Sequence, residues 1–545
     1  MIPPIYTDHW NPELALWSES GPGHTPETYN LSQLHSGRVA AWRLLNAGID
    51  NLLHLIESGR TLRTLSTMQQ TSGPRPGGFR WYWEEQNAHD TNATFFTTLP
   101  LILLELEFGD QLPTPDSLLL RHMLSMARNW FTAELEHLEH SLRYPNKTLG
   151  DLTCAWLMAV AANDIPATLL QQMARSADYY RQKNWGWGEH LSDGYATICQ
   201  SELTAILLYA NLLPPPLRHQ YEELFTNLNT SDALFKNGPR VPAIRSYNFD
   251  TPPCFAHATL TPRQTFLDTL SQPELPGKQG TWLPLRLLAK RHNLAQHYHI
   301  IIEPQSHFTT PCFNDTQAHS IIHHNFRMGV MSRYPIMPDT EHPTWGLCWQ
   351  SMPLCYWDTN GAWAYAQWET TANGTTRAHP AHSRHHRGAV QLDTTEPPTT
   401  GQTIGTTIDD QCLALRTIDP HHIQCNTLTD RFRLINNPFT QISETRIDDW
   451  YALTLHHPAT NHTLRILCHP LNTTIKPVLH HPTPETIDWN ITHPNPRTTI
   501  STLWLWQAGP HLPSPPPPYS IARKLLITSA ASASLNTPSI YESTR

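Results

Sequence analysis

The hydrophobic periodicity of this chain changes near its middle, and that change restricts the fold class more than any other feature. Between about residues 36 and 240, apolar residues recur at helical spacing, as in the stripe that begins at Leu203 and ends before Pro214. After about residue 297, short apolar runs such as 326–331 are separated by Pro, Gly and Asn, which is typical of strands. The chain is therefore predicted to be an α+β multidomain protein, with helices first and antiparallel sheets second.

The division into domains follows from the length and from the positions where the periodicity changes. A chain of 545 residues exceeds one ordinary hydrophobic core. Successive helices with short connections are typical of stacked antiparallel hairpins, so the helical half is predicted to be an α/α toroid, complete or incomplete. The predicted units are a catalytic toroid at 1–240, a partly helical junction at 241–296, a large antiparallel β-sandwich at 297–512, and a proline-rich spacer with a peripheral tail at 513–545.

The composition indicates a folded protein and restricts its partners. A net charge of −9, with 15% charged and 39% hydrophobic residues, does not favour a nucleic acid partner. The nine cysteines contain no CxxC pair, which argues against a disulfide framework or a zinc knuckle. The 33 histidines are spread along the chain, so its His-His pairs are interpreted as surface or strand residues. No metal and no cofactor are predicted, although His379, His382, His385 and His386 lie close together in the sequence.

The N-terminal residues carry neither the basic segment nor the apolar segment of a secretory signal. No uninterrupted apolar run approaches the length of a membrane span, so no membrane partner is expected. The chain is expected to be cytoplasmic, or secreted with its signal absent from this sequence. The sequence gives no indication of the oligomeric state.

Residues 184–195 combine a carboxylate, an imidazole and a phenol with two tryptophans, directly before an apolar helix. Ser192 or Asp193 is a natural N-cap for that helix, which places His190 just before it and Tyr195 in its first turn. Imidazole and phenol groups transfer protons, and the faces of tryptophan rings suit sugar rings. The alternative is a capping loop with a packed tyrosine, in which Glu189 forms a local ion pair.

A similar polar segment, residues 84–92, precedes the apolar helix predicted at 94–108. Asn87 and His89 can donate hydrogen bonds to a carboxylate, provided that one of them lies before the first helical turn. The alternative is helix capping by Asp90 or Asn92. Aromatic residues within 79–83 adjoin this segment, and a buried aromatic core is the alternative to a sugar surface there. The two polar segments together predict a carbohydrate site between helices.

Short motifs in this order resemble those of a known group of enzymes. Residues 87–89 (Asn-Ala-His), before an apolar helix, resemble the Asn-His helix start of α/α-toroid polysaccharide lyases, the heparinase II/III-like and alginate-lyase-like group. Residues 189–195 are similar to the segment of those families that ends in the catalytic tyrosine. Residues 325–333 resemble an early strand of the β-sandwich in hyaluronate- and chondroitin-lyase-like enzymes. In the family the Asn and His are often adjacent, whereas Ala88 separates them here.

The resemblance implies β-elimination at a uronic acid, with an acidic polysaccharide or oligosaccharide as the substrate. It implies that Asn87 and His89 stabilise charge on the substrate carboxylate. It also implies that Tyr195 removes the C5 proton or protonates the leaving oxygen, with His190 as its partner. The residues expected to bind substrate are Arg80, Trp83, Trp185, Trp187, Glu189 and Arg245.

Two other functions are open at this stage. A glycoside hydrolase on a toroid needs two carboxylates across the scissile bond. The candidate pairs join Glu84, Glu85 or Asp90 to Glu189 or Asp193. A non-catalytic carbohydrate-binding protein would show no turnover, and its ligand would depend on Trp185 and Trp187.

Overall fold

The structure is a computed structural model that describes most of the chain. The described residues are 2, 6–20, 25, 27–28, 30–73, 76–183, 185, 189–235, 238–242, 283–294, 305–313, 316–334, 354–372, 375–377, 402–418 and 426–535.

The first part of the chain is helical, as its periodicity predicts. Its helices are α1 (Gly37–Ile49), α2 (Ser58–Met68), α3 (Asn92–Phe108), α4 (Thr114–Glu136), α5 (Leu138–Ser141), α6 (Pro145–Ala161), α7 (Ala167–Gln182), α8 (Asp193–Leu207) and α9 (Pro215–Leu234). Two further helices are α10 (Leu283–Arg291) and α11 (Pro518–Leu535). Short 3₁₀ turns lie at Gly109–Gln111, Glu189–Leu191 and Ala210–Leu212.

Several helix ends follow from local sequence. The Ser36 hydroxyl caps α1 and accepts a hydrogen bond from a backbone N–H in its first turn. Ser192 caps α8, and its Oγ accepts from the Tyr195 N–H at 3.4 Å, as predicted. Pro145 and Pro215 occupy first positions of α6 and α9, where a missing N–H has no consequence. Helix α8 ends at Leu207, before the 3₁₀ turn at Ala210–Leu212, so the prolines that follow start α9 and do not end the previous helix.

The helices contact one another in a closed succession. Helix α3 is mostly apolar up to Glu105 and Glu107 near its end, and it packs against α1, α4 and α6. Helix α6 packs against α8, and α10 contacts both α8 and α1, which returns the succession to its start. The helices α2, α4, α7 and α9 pack against α1, α3, α6 and α8, respectively. The core of this part is one continuous apolar cluster.

The described strands form antiparallel sheets, and most of these strands lie in the later part of the chain. A small sheet near the N-terminus contains β1 (Trp10–Asn11), β2 (Leu16–Ser20) and β3 (Gln33–His35). The remaining strands are β4 (His307–Phe313), β5 (Thr316–Ile322), β6 (Phe326–Met331), β7 (Arg333–Tyr334), β8 (Leu354–Asp358), β9 (Trp363–Ala372), β10 (Thr375–Arg377), β11 (Gln402–Ile408), β12 (Gln411–Ile418), β13 (Thr427–Ile435), β14 (Gln441–Ile447), β15 (Trp450–His457), β16 (His462–Pro470), β17 (Val478–Thr483), β18 (Thr486–Pro494) and β19 (Ile500–Gly509).

These strands form two large sheets that share a core. The nine-stranded sheet has the order β17-β18-β13-β9-β8-β6-β5-β4, with β10 paired to β9, and the seven-stranded sheet has the order β14-β15-β16-β19-β12-β11-β7. Along β13, side chains alternate between buried and half-buried, so Phe432 and Leu434 point to the same face. They belong to the cluster that holds Trp504 and Trp506 of β19, so the sheets pack face to face.

The helical part packs directly against the sheets. The Arg327 guanidinium of β6 donates hydrogen bonds to the backbone oxygens of Phe235 and Pro239, at 2.9 and 2.7 Å. Gly329 lets the chain after α9 approach β6, since a Cβ there would lie 2.2 Å from the Pro242 nitrogen. Leu191, next to α8, is buried in the core of the sheets. The segment 189–191 is therefore covered by the sheets.

The mixed α+β architecture with large antiparallel sheets is confirmed. The apolar run at 298–302, whose composition is also typical of a strand, lies outside the described residues, and the boundaries between domains stay predictions. Helix α11 was not predicted; its Ile521 and Leu525 are buried against the seven-stranded sheet. Within the described ranges, every helix is too short or too polar to span a bilayer.

Candidate functional site

A cleft of about 280 Å³ opens where α3 and α6 begin and α4 ends. The residues that line it come from two stretches of sequence about forty residues apart. They are Asp90, Thr91, Asn92, Glu134, His137, His140, Ser141, Tyr144, Asn146 and Lys147. Such a set of amide, imidazole, phenol and ammonium groups in one concave site suits a polar ligand.

Residues at the N-termini of α3 and α6 both line the cleft, and a helix N-terminus favours negative charge near it. At the start of α3, Asp90 Oδ1 accepts from the Asn92 N–H at 2.9 Å, and Asp90 Oδ2 accepts from Trp81 Nε1 at 2.9 Å. At the start of α6, the Asn146 N–H donates to Glu189 Oε2 at 2.7 Å. Each N-terminus therefore already holds one protein carboxylate behind or beside the cleft.

Lys147 supplies a buried positive charge at the cleft wall. Its ammonium lies 2.8 Å from Glu134 Oε2 and also pairs with the Asp151 carboxylate one turn later on α6. The Lys147 side chain is 11% exposed. Burial lowers the pKa of this ammonium, but Asp151 and Glu134 raise it, and the net pKa of Lys147 lies above its ordinary value. Burial raises the pKa of Asp151 to about 7 despite the attraction of Lys147.

Three further groups in the cleft can carry protons. His137 and His140 lie where α4 gives way to α5, and their rings stack with centroids 6.1 Å apart. Tyr144 directly precedes α6 and also packs against the core of the sheets. Imidazole nitrogens both donate and accept protons, and a phenol can donate one to a leaving oxygen. The cleft thus combines anion-binding groups with proton carriers.

Asn87 and His89 lie beside this cleft but do not line it. Both are exposed. The Asn87 Oδ1 accepts from Gln70 Nε2 at 3.5 Å, and His89 Nε2 lies 2.9 Å from Glu27 Oε1. The three residues that follow them in the chain, 90–92, form the cleft wall. The last residues of the predicted polar segment thus line the cleft, whereas Asn87 and His89 lie beside it.

His190 is placed differently from the prediction. Its ring is 5% exposed, and Nε2 lies 3.1 Å from the Pro311 oxygen of β4. Its Nδ1 is buried and has no hydrogen-bond partner among the described residues. Burial lowers the pKa of His190 to about 3, so the ring is neutral near neutral pH. The expectation that His190 exchanges protons with a ligand is wrong for this conformation, because the sheets cover the ring.

Glu189 and Trp185 are also interior residues. Glu189 is fully buried and caps the N-terminus of α6, so its expected contact with substrate is replaced by a structural one. Trp185 is 6% exposed and stacks on Tyr180, with ring centroids 5.4 Å apart, and on His190 at 6.3 Å. A ring buried in this way offers no face to a sugar, so that expectation is also wrong. Trp187 lies outside the described residues, as do Arg245 and the histidines at 379–386.

Arg80 and Trp83 hold each other and the loop between them. The Arg80 guanidinium lies 5.6 Å from the centre of the Trp83 ring. It donates to the backbone oxygens of Thr67 at 3.2 Å, of Trp83 at 3.4 Å and of Glu85. Burial lowers the pKa of Arg80. The guanidinium therefore orders the chain that leads to the cleft.

Tyr195 lies in the first turn of α8, where its ring is half-buried. Helix α8 packs along α6, whose first turn lines the cleft. This is the position that the capping pattern predicts for Tyr195.

Among the described side chains of the carboxylates considered for hydrolysis, only that of Asp90 lines the cleft. Glu84 accepts from the backbone N–H of His35 and pairs with its ring. Glu85 is buried and accepts from the Trp81 N–H at 2.8 Å; burial raises its pKa to about 7. These acids and Glu189 fix the loops, and nothing is described of the Asp193 side chain. The structure adds Glu134 as a second carboxylate in the cleft.

The second stretch of the cleft, residues 134–147, was not predicted from the sequence. It does carry a signal, since residues 144–147 (Tyr-Pro-Asn-Lys) form a polar start to an apolar helix, as residues 84–92 and 184–195 do. His137 and His140 lie just before it. Nothing in the local sequence shows that this start lies opposite residues 90–92. Within the described ranges, no group of three side chains is placed to hold a metal ion.

Comparisons with known proteins give little further identification. No protein-family model matches the chain, and no curated protein matches it. Ten chains from solved structures match, and one of them is described as a heparinase III with methylated lysines. The alignment covers 88% of this chain and 77% of that chain, at 9% sequence identity and a TM-score of 0.34. A similarity at this level does not establish a common fold.

Proposed function

We propose that this chain is a polysaccharide lyase that cleaves a uronate-containing chain by β-elimination in the cleft at the start of α3 and α6. The observation that carries the proposal is the composition of this one concave site: two helix N-termini, a buried ammonium, two imidazoles and a phenol. The helix N-termini and the ammonium suit a substrate carboxylate, and the imidazoles and the phenol suit proton transfer.

The reaction requires charge to build up on the uronate carboxylate while the C5 proton leaves. Donors aimed at that charge contribute the largest share of catalysis in many enzymes. We assign this task to the amides of Asn92 and Asn146 and to the ammonium of Lys147. Both asparagines stand in the first turn of their helices, where the helix dipole adds to the effect.

Proton transfer is assigned to Tyr144, with His137 or His140 as the second carrier. One group takes the C5 proton, and the other gives a proton to the leaving oxygen as the C4–O bond breaks. Tyr195 stays in the proposal as an alternative phenol, because α8 packs beside α6. Asn87 and His89 are proposed to contact saccharide units beyond the cleft, since they are exposed next to its wall.

The closed succession of helix contacts supports an α/α toroid as the scaffold, and the shared core of the two sheets supports a β-sandwich beside it. In this arrangement the cleft borders the sheets, because Tyr144 packs against their core. A long saccharide would then lie between the helical part and the sheets.

The test is a screen of alginate, glucuronan, hyaluronan, chondroitin and heparan for unsaturated products, which absorb ultraviolet light. Tyr144→Phe removes one hydroxyl, and we expect the rate to fall by about 10²–10⁴-fold if the phenol carries a proton. Tyr195→Phe tests the alternative phenol in the same assay. Tyr519→Phe is the matched control, because that ring is exposed on α11. Full activity in both Tyr144→Phe and Tyr195→Phe would remove phenol catalysis from the proposal.

Hydrolysis is the second candidate, and Asp90 and Glu134 favour it because both carboxylates line the same cleft. Hydrolysis creates new reducing ends without ultraviolet absorbance, so the same digests separate the two reactions. Glu134→Gln and Asp90→Asn would abolish hydrolysis. In a lyase, the Glu134→Gln variant would keep turnover, since Glu134 is assigned no proton transfer and Lys147 keeps its ion pair with Asp151. A protein that binds these polymers without either product would be a carbohydrate-binding protein.

A further inference from the structure

Beneath the cleft, Lys147 belongs to a group of ionisable side chains in which Asp151 and Glu202 have no part in the reaction proposed above. Lys147 and Asp151 lie one turn apart on α6, and Glu134 reaches Lys147 from the end of α4. Glu202, on α8, is fully buried, and neither of its carboxyl oxygens has a hydrogen-bond partner among the described residues. Helices α4 and α8 both pack against α6, so these groups form one cluster.

The charges of this cluster oppose binding of an anion. Lys147 is one ammonium between two carboxylates, so the triad carries one net negative charge when both acids are ionised. A ligand carboxylate that enters the cleft therefore finds the ammonium already neutralised. Anion binding becomes favourable when one of the two protein carboxylates gives up its charge.

Asp151 is the carboxylate placed to give up its charge. It is 2% exposed, and its Oδ1 has no hydrogen-bond partner among the described residues. The Glu134 side chain is 30% exposed at the cleft, so water stabilises its charge. The groups that act on Asp151 are Lys147 on its own helix, Glu134 on α4 and Glu202 on α8. Burial raises the pKa of Asp151 to about 7 and that of Glu202 well above its ordinary value.

We propose that the cleft binds an anionic saccharide together with one proton, which Asp151 takes up, so that Lys147 is freed to pair with the ligand carboxylate. The inference rests on the proposed function only in taking the ligand to be a uronate. No bond between heavy atoms changes: one proton moves from solvent to the Asp151 carboxylate and forms an O–H bond there, and one ion pair is exchanged for another. The site would then discriminate acidic from neutral sugars by an amount that depends on pH.

The sign of the pH dependence follows from linkage. Bound ligand favours protonated Asp151, so affinity rises as the pH falls toward the titration range of Asp151 near pH 7. Above that range, the dissociation constant for a uronate rises by up to about tenfold per pH unit. An uncharged sugar of the same size gains nothing from the exchange, so its affinity stays constant.

The experiment is calorimetric titration of the full chain with sodium glucuronate, and with glucose as the uncharged control. Each titration is run near pH 7 in two buffers whose ionisation heats differ. We expect the glucuronate heat to differ between buffers by an amount equal to up to about one proton taken up. Asp151→Asn cannot take up a proton, so the buffer difference should vanish and glucuronate should bind at high pH with the affinity that the unmodified chain shows at low pH.

Asp358→Asn is the matched control, because Asp358 is also a buried carboxyl with a raised pKa but lies on β8. It should keep the full buffer difference. Equal glucuronate heats in both buffers for the unmodified chain would overturn the proposal, as would a buffer difference that persists in Asp151→Asn. Absence of any heat specific to glucuronate would overturn it too.

A second variant keeps the test decisive if Asp151→Asn fails to fold. Lys147→Arg keeps the positive charge and should keep the proton uptake, whereas Lys147→Met should lose glucuronate binding and leave any glucose binding unchanged. If glucuronate binding is coupled to proton uptake but no unsaturated products form, the lyase proposal is contradicted and this inference stands. If unsaturated products form but binding does not depend on protons, this inference is contradicted and the lyase proposal stands.

Discussion

Removing the Lys147 ammonium tests the buried triad of Lys147, Glu134 and Asp151 most directly. The resulting loss of unfolding free energy follows from the contacts of these three side chains. In Lys147→Met the aliphatic stem is kept, while Glu134 and Asp151 lose their shared partner. Breaking a buried pair on one side typically costs about 3–5 kcal/mol, because an uncompensated charge is left behind. Glu134 can turn toward water, but Asp151 is 2% exposed and cannot. Most of the cost therefore falls on Asp151.

The cost depends on pH, with a sign set by Asp151. The pKa of this carboxyl is already raised in the folded protein, to about 7 from an ordinary value of 3.8. The folded protein therefore favours the protonated Asp151 carboxyl. The stability that this preference adds is fully present below about pH 3.8 and is lost as the pH rises through about 7. Without Lys147 the pKa rises further, so the loss of stability in Lys147→Met should be large near pH 8 and small near pH 5, where Asp151 is protonated.

The assay is thermal unfolding of the full chain at these two pH values, followed by calorimetry. A loss of about 3 kcal/mol in unfolding free energy lowers the Tm of a domain as large as the helical part by roughly 6–12 °C. Lys147→Met with Asp151→Asn should recover most of the loss, because no buried charge remains. Arg175→Met is the control: its ion pair with Glu139 is exposed, and its Tm should change by less than roughly 2 °C. An equal fall in Tm at both pH values would show that Lys147 does not stabilise the charge of Asp151.

Two further predictions concern packing and acid stability. Gly150→Ala on α6 places a Cβ 2.4 Å from the Phe95 ring of α3, so it should lower the unfolding free energy by about 1–3 kcal/mol. A Tm equal to that of the unmodified chain would show that the two helices separate easily. His190 is neutral in the folded protein, with a pKa of about 3 against an ordinary 6.5, so its contribution is complete above about pH 6.5 and is lost as the pH falls through about 3. His190→Gln should therefore flatten the fall in Tm on the acid side, and an unchanged acid profile would contradict the buried position of His190.

Local sequence predicted the elements well where a period or a cap is strong. The stripe of α8 and its Ser192 cap placed Tyr195 in the first helical turn, because both signals act within one turn of helix. The run at 326–331 was identified as β6, because its strand signal is equally local. Helix α11 was not foreseen, since it follows a proline-rich stretch and its buried face is narrow.

The candidate site was only partly predictable for the opposite reason. Residues 90–92 were identified as part of a polar helix start, and the structure places them in the cleft. Glu189 and His190 belong to an equally polar segment, yet both are buried, because Asn146 and Pro311 cover them from elsewhere in the chain. A polar residue before a helix can face a ligand or cap a neighbouring helix, and local sequence does not distinguish the two.

The sequence was enough to predict a helical first part and a stranded second part, although not α11, because this choice depends mostly on neighbours within a few residues. Tertiary structure alone decided which helix starts meet. The packing of α3 against α6 brought Asn92 and Asn146 to one cleft, and the packing of β4 against the turn before α8 closed off His190. The physical reason is that exposure and electrostatics depend on atoms that are close in space, and in this chain those atoms come from residues fifty to more than a hundred positions apart.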